Sequence, residues 1–225
     1  MNNIVVIKLG GIGTEKIDES FINQLKDWQN NGKKIVIVHC GGQVINNYLK
    51  ASGHHTRKIN GIRVTAKNDL PIIYNVLVNK VGYQLINRLK LSHLKTNQLK
   101  DNMKDLVTAD FLNKELYGFV GNIKQIKVNL LQDILDSKQI PVIVSLGANN
   151  EGCWLNINAD YLATSIAKAF NADQLILMTD VEGVLENRKL LKSLSIQQAQ
   201  EKIKNNIITD GMIPKLESAV ETIQG

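Results

Sequence analysis

Cysteine is scarce: the 225 residues hold two, Cys40 and Cys153, far apart and in no ligand-spaced motif. That argues against a disulfide framework and favours a reducing compartment. The four histidines, His39, His54, His55 and His93, lack the spacing of a zinc site. Aromatics make up 5% of the chain, too few for a base-stacking surface, and basic residues cluster only in pairs such as Lys33-Lys34 and Arg57-Lys58. Nucleic-acid binding is therefore not expected. Apolar runs reach only about 6 residues, far below a membrane span. The start, Met1-Asn2-Asn3-Ile4, shows no basic region followed by a long apolar stretch. No signal peptide is expected, and the protein reads as cytoplasmic. Neither G-x-x-x-x-G-K-[ST] nor G-x-G-x-x-G after the first strand occurs. Their absence speaks against a P-loop enzyme and a classical dinucleotide site.

What is present is a hydrophobic content of 44% and a net charge of +6 from 27 basic and 21 acidic residues. A chain of this kind buries a real core, and its mild basic excess suits an anionic ligand. Four short apolar runs stand out: Ile4-Val5-Val6-Ile7, Ile35-Val36-Ile37-Val38, Val142-Ile143-Val144 and Leu175-Ile176-Leu177-Met178. They read as strands buried on both faces of a parallel sheet. Helical spacing separates them, in Phe21, Ile22, Leu25 and Trp28 and again in Leu162, Ile166 and Ala169. Ile73, Leu77, Val81, Leu85 and Leu89 recur at every fourth position, which predicts one helix from Asp69 to Leu91. The alternation predicts an α/β fold, a three-layer α/β/α sandwich with a mainly parallel central sheet. Leu106 to Ala109 and Gly118 to Val128 read as a hairpin at the sheet edge. Ser195 and Gln198 form a capping box for a helix through Ile203, and a last helix begins near Pro214. The Gly/Asn-rich stretch from Gly147 to Gly152 suggests two lobes, 1–150 and 151–225.

Two strands run into paired glycines, Ile7-Lys8-Leu9-Gly10-Gly11 and Val38-His39-Cys40-Gly41-Gly42. Ligands of an open parallel sheet sit beyond the strands' carboxyl ends, so both turns share one rim. Glycine lets peptide N–H groups approach an anion, and a helix N-terminus after each turn adds partial positive charge. Lys8 is the odd residue. An ammonium in a central strand costs desolvation energy unless it meets an anion or snorkels to the strand end. Three further clusters follow: Gly61-Ile62-Arg63-Val64-Thr65, Asn156-Ile157-Asn158-Ala159-Asp160, and Thr209-Asp210-Gly211-Met212-Ile213-Pro214-Lys215. Asn158 or Asp160 could simply cap the helix that begins there.

These clusters, with Thr179-Asp180-Val181-Glu182-Gly183-Val184-Leu185, occur in one order along nearly the whole chain. The ordered set resembles the amino-acid-kinase family, and within it the acetylglutamate kinases, which the segment around Arg63 separates from carbamate, uridylate and aspartate kinases. The resemblance implies the amino-acid-kinase fold and ATP-dependent phosphorylation of the side-chain carboxylate of N-acetyl-L-glutamate, in arginine synthesis. It implies that Lys8 and Lys215 stabilise the transferring phosphoryl group and that Asp160 orients them. Gly41, Gly42, Arg63, Asn156 and Asn158 would hold the acceptor. Gly10, Gly11, Asp180, Val181, Glu182, Gly183, Val184, Leu185, Ile207, Ile208 and Thr209 would line the ATP site. Lobe 1–150 would bind the acceptor and dimerise, and lobe 151–225 would bind ATP. An ionised carboxylate needs no general base, so catalysis rests on positioning and fixed positive charge. Magnesium would ride on the ATP phosphates.

The family's usual motif is His-Gly-Gly-Gly, and Cys40 stands in place of its first glycine. At a positive φ its β-carbon would cost about 1 kcal/mol or more. The segment Leu99 to Leu106 lacks the family's usual glycines. Arginine-inhibited members carry an extra N-terminal helix, whereas the first strand here begins by Ile4. The resemblance thus implies an arginine-insensitive homodimer with the Asp69 to Leu91 helix as a candidate interface. Family members continue past the position of Gly225 into a further strand, so that strand is expected to be missing here. Two other functions stay open from the residues: the same chemistry on another acid such as an aminoadipate derivative, and a non-catalytic nucleotide-binding or regulatory homologue.

Overall fold

In the computed structural model the described residues are 3–10, 17–100, 102–179, 183–186, 189–208 and 212–224, without the side chains of 214 and 221–224. The first apolar run forms β1 (Ile4–Leu9), buried at all six positions. Successive strand residues face opposite sides. Val5, Ile7 and Leu9 therefore enter one core, and Ile4 and Val6 enter the other. Lys8 extends that second face to the strand's end. Helix α1 (Glu19–Asn30) begins at Asp18, whose carboxylate accepts the Phe21 N–H at 2.8 Å. The helix expected directly after Gly10-Gly11 falls on positions outside the described residues. Strand β2 (Lys34–His39) lies parallel to β1, and Gly41 caps α2 (Gly42–Ala51) directly after it.

A small hairpin follows, β3 (Arg57–Ile59) and β4 (Ile62–Val64). Its two linking residues, Asn60 at φ 50° and Gly61 at φ 76°, have the left-handed angles that a tight two-residue hairpin turn demands. The predicted long helix is present and is not uniform. A 3₁₀ turn (Lys67–Asp69) leads into α3 (Leu70–Asn75), then a π-helix (Val76–Gly82), then α4 (Tyr83–Leu91). Next come β5 (Thr96–Leu99), α5 (Met103–Leu106), β6 (Val107–Phe111), α6 (Lys114–Tyr117) and β7 (Gly121–Ile126). They are followed by α7 (Asn129–Asp136), β8 (Ile140–Val144), β9 (Leu146–Ala148), β10 (Trp154–Asn156) and α8 (Ala159–Phe170). The chain ends with β11 (Gln174–Met178), the hairpin β12 (Leu185–Glu186) and β13 (Lys189–Leu190), α9 (Ile196–Lys204) and α10 (Met212–Gln224). The Ser195–Gln198 capping box is present at α9. Pro214 falls two residues inside α10.

Among the described residues the main sheet has five parallel strands in the order β11-β1-β2-β8-β5. The four predicted runs are four of them. On one face α1 and α4 close a core around Leu25, Ile37, Leu85 and Leu89. On the other, α2, α3, α7 and α8 pack Leu49, Ile73, Leu135 and Leu162 against Val36 and Val38. This is the three-layer α/β/α arrangement. The predicted hairpin forms, but it does not sit at the edge of this sheet. Strands β6 and β7 pair antiparallel within a second sheet of order β10-β9-β6-β7. Strands β6 and β7 alternate as a half-exposed surface does, whereas β9 is buried throughout.

Candidate functional site

Helix α8 packs over the second face with its N-terminus above the carboxyl ends of β1 and β2. Asn158 is its N-cap, and its side-chain oxygen accepts the N–H groups of Asp160 at 2.8 Å and Tyr161 at 3.3 Å. Of the two capping candidates the amide does the capping, which leaves the Asp160 carboxylate free to face the rim. One of its oxygens lies 2.9 Å from the Lys8 ammonium and the other 3.0 Å from the Lys215 ammonium. Lys8 is 4% exposed and Asp160 5%. Burial opposes the charge on Lys8, but its electrostatic interactions with Cys40 and Asp160 and its bond to the carboxylate outweigh it and hold its pKa above the ordinary lysine value. Gly10 has a steric role here. A β-carbon on it would stand 2.9 Å from the Lys8 ammonium and 2.9 Å from the Met178 carbonyl. Glycine therefore keeps open the space into which the ammonium folds.

Arg63, on β4, is buried and its guanidinium has neutral partners. It donates to the Asn46 side-chain oxygen at 2.6 Å and to the Gly42 carbonyl at 3.1 Å. Burial lowers its pKa, against the electrostatic influence of Cys40 and Asp69, and it remains a cation at neutral pH. No carboxylate salt-bridges it among the described residues. Asn156 donates to the Thr65 hydroxyl at 3.0 Å, which ties β10 to the end of β4. Both are buried.

These groups line a pocket of about 830 Å³. Lys8, Gly10, Gly42, Arg63, Asn156, Asn158, Asp160 and Lys215, all expected site residues, contribute to its wall. Four cationic side chains (Lys8, Lys58, Arg63 and Lys215) face one carboxylate, Asp160. Such a wall attracts an anion. Gly41 departs from expectation: it does not line this pocket. It serves as the N-cap of α2, where a β-carbon would meet Ile45 at 2.7 Å. Gly183, Val184 and Leu185 belong to the β12–β13 region, and Ile207 and Ile208 to the turn after α9; they too are absent from the pocket wall. Gly11, Asp180, Val181, Glu182 and Thr209 lie outside the described residues. Cys40 does line the pocket, and it is not among the positive-φ residues. Its β-carbon therefore carries none of the backbone cost anticipated for it.

Sequence reasoning missed Asn46, Lys58 and Ser145, which also line the pocket. Asn46 lies one helical turn after Gly42. Lys58 is the cross-strand partner of Arg63, a pairing that the Asn60-Gly61 turn signal would have supplied. Ser145, between β8 and β9, carried no signal of its own.

Comparison with known proteins agrees with this geometry. Residues 3–225 match the amino acid kinase family. An acetylglutamate kinase of Staphylococcus epidermidis is 54% identical over 224 residues, covering 100% of this chain and 91% of that protein. An acetylglutamate kinase of Streptococcus sanguinis is 48% identical over 223 residues, covering 99% and 91%. A crystal structure from Streptococcus mutans UA159 superposes with a TM-score of 0.98 at 45% identity, covering 100% of this chain and 91% of that one. The carbamate kinase of Giardia, at 15% identity and a TM-score of 0.66, shares the fold.

Proposed function

The chain belongs to the amino acid kinase family, and from that premise we propose that it transfers the γ-phosphoryl group of ATP to the side-chain carboxylate of N-acetyl-L-glutamate, as acetylglutamate kinases do. The bond between the γ-phosphorus and its bridging oxygen breaks and ADP leaves. A new bond joins that phosphorus to a carboxylate oxygen, giving an acyl phosphate. This is the second step of arginine synthesis.

One observation carries the reading. A single buried carboxylate holds Lys8 and Lys215, remote in sequence, at 2.9 and 3.0 Å on the wall of a cationic pocket. The acceptor carboxylate is already ionised at neutral pH, so the obstacle is charge repulsion between it and the triphosphate. Two fixed ammonium groups offset that repulsion without reorganising at the moment of transfer. Lys8 lies at the β1 end and Lys215 on α10, so the two can face the transferring group from different elements. Arg63, with only neutral partners, is suited to a bidentate grip on the acceptor's other carboxylate. The Asn156–Thr65 pair stiffens the wall beside it. Lobe 1–150 supplies the acceptor side and lobe 151–225 supplies Asp160 and Lys215 for the nucleotide side.

The donor set suits magnesium carried on ATP. Asp160 is committed to two lysines, and no group of three His, Cys, Asp or Glu side chains that could cage an ion occurs among the described residues. Phosphate oxygens and water would hold the ion, which when bound neutralises charge on the phosphates. The same proposal takes the protein as a homodimer through the α3–α4 helix, where Tyr83 and Leu91 are 59% and 80% exposed. A monomeric mass in sedimentation would remove that part. No helix among the described residues is long and apolar enough to cross a membrane.

The test is product trapping. With ATP, magnesium and acetylglutamate, hydroxylamine should capture the acyl phosphate as a hydroxamate in step with ADP release. Capture only with an acetylaminoadipate would move the substrate. ADP-free mixtures with every acid tried would retire the kinase reading.

A further inference from the structure

Helices α8 and α10 are joined by two side-chain bonds from adjacent residues of α8 to residues two apart on α10. Asp160 holds Lys215 at 3.0 Å, and Tyr161 donates its hydroxyl to Glu217 at 2.5 Å. The first bond belongs to the phosphoryl-transfer groups. The second does not, because neither Tyr161 nor Glu217 lines the pocket. A further contact between these helices, from the Thr164 hydroxyl to the Ser218 carbonyl, is longer, at 3.4 Å.

The Tyr161 ring sits elsewhere again. It packs against the small core of Ile62, Tyr117 and Val120, built by the β4 hairpin and the α6–β7 segment. One residue thus touches the acceptor-side wall with its ring and α10 with its hydroxyl. We infer that Tyr161, through Glu217, is a positioning residue that fixes α10 so that the Lys215 ammonium stays at the phosphoryl site. The inference rests on the proposed role of Lys215.

The physical need for such a latch is plain. The Lys215 stem has four rotatable bonds and cannot place its own charge. Its bond to Asp160 cannot be the sole anchor, because the same ammonium must turn toward the phosphoryl group during transfer. Asp160 is in addition shared with Lys8. A bond made outside the pocket holds α10 whatever the charges inside it do. Burial, and then the bond to Glu217, raise the Tyr161 pKa. The hydroxyl therefore stays a donor across the working range.

The test uses Tyr161→Phe, Glu217→Gln and the full-length protein. Tyr161→Phe should lower kcat about tenfold, the order expected when one charge-assisted positioning bond is lost. KM for the acceptor and the thermal midpoint should stay near the parent values. Glu217→Gln, which keeps an acceptor oxygen for the Tyr161 hydroxyl, should retain most of the parent rate. In a Lys215→Ala background, Tyr161→Phe should add no further loss. A readout independent of turnover is amine labelling by formaldehyde and cyanoborohydride, followed by mass spectrometry. Lys215 should label several-fold faster in Tyr161→Phe, with Lys8 unchanged as internal reference. Unchanged kcat and unchanged Lys215 labelling would overturn the inference. So would a tenfold loss that persists in the Lys215→Ala background. If the parent protein phosphorylates no acid, the functional reading fails, and the labelling comparison still decides the latch.

Discussion

Arg63 is a buried guanidinium whose described side-chain partner is an amide, not a carboxylate. Its charge is therefore unspent and faces a pocket sized for a small acid. A lysine in its place keeps the charge and loses the planar fork that grips two oxygens. Arg63→Lys should raise KM for the acceptor by about tenfold to a hundredfold and leave kcat within a few-fold. Steady-state kinetics would show it; a fall in kcat at unchanged KM would place Arg63 on the phosphoryl group instead. His39 is a different kind of buried group. It is fully buried at the end of β2, and burial takes its pKa down to about 4. The unfolded chain, near 6.5, binds the proton first. The neutral imidazole's contribution is therefore whole above pH 6.5 and is lost as pH falls from 6.5 to about 4, on the order of 3 kcal/mol. Urea midpoints should drop over that window, and a His39→Asn variant should lose that part of the slope. Of the residues at this scale, Lys8 was legible because an ammonium inside an apolar strand demands a partner. That its partner is Asp160 was not readable from spacing, since 152 positions of chain separate charges that the fold brings within 2.9 Å. The resemblance to a family supplied that pairing. Asn46 and Lys58 carried no such oddity: each is a polar residue on a surface element, and only the fold sets it at the pocket wall.

The long helix carries a feature that its own sequence pattern contains. A strict repeat of four residues advances about 40° per step around an α-helix, or roughly 160° from Ile73 to Leu89. Yet all five residues of the repeat are buried. The π-helix over Val76–Gly82 widens the turn and takes up part of that drift. The turn leaves the Val78 carbonyl to accept the Gln98 amide at 2.9 Å. Gly82 closes the turn where a β-carbon would stand 2.3 Å from that amide and 3.2 Å from a His39 ring nitrogen. Gly→Ala inside an ordinary helix gains stability. Here the sign reverses: Gly82→Ala should destabilise by about 1–3 kcal/mol through overpacking, read from denaturant unfolding. A gain would mean that the wide turn is not held by these contacts. The parallel strands were legible because continuous runs such as Ile35 to Val38 fit only a sheet covered on both faces. The second sheet was not, because strands as short as β9 and β10 leave no periodicity to count.

At the scale of the molecule, the five-stranded sheet presents the ends of β1 and β2 on one rim, and α8 and α10 bring charged side chains to it from the other half of the chain. The arrangement assembles from parts that are each ordinary: a capped helix, a glycine turn, a hairpin with an Asn-Gly corner. Only their meeting makes a site of four cations and one carboxylate. The two lysines are therefore predicted to act on the transition state more than on binding. The direct measurement is kcat for Lys8→Ala and Lys215→Ala beside calorimetric affinity for magnesium and a non-hydrolysable ATP analogue. Each variant should keep the fold and bind the analogue within about tenfold of the parent, while kcat falls by about a hundredfold or more. Near-parental turnover in both variants would contradict the account.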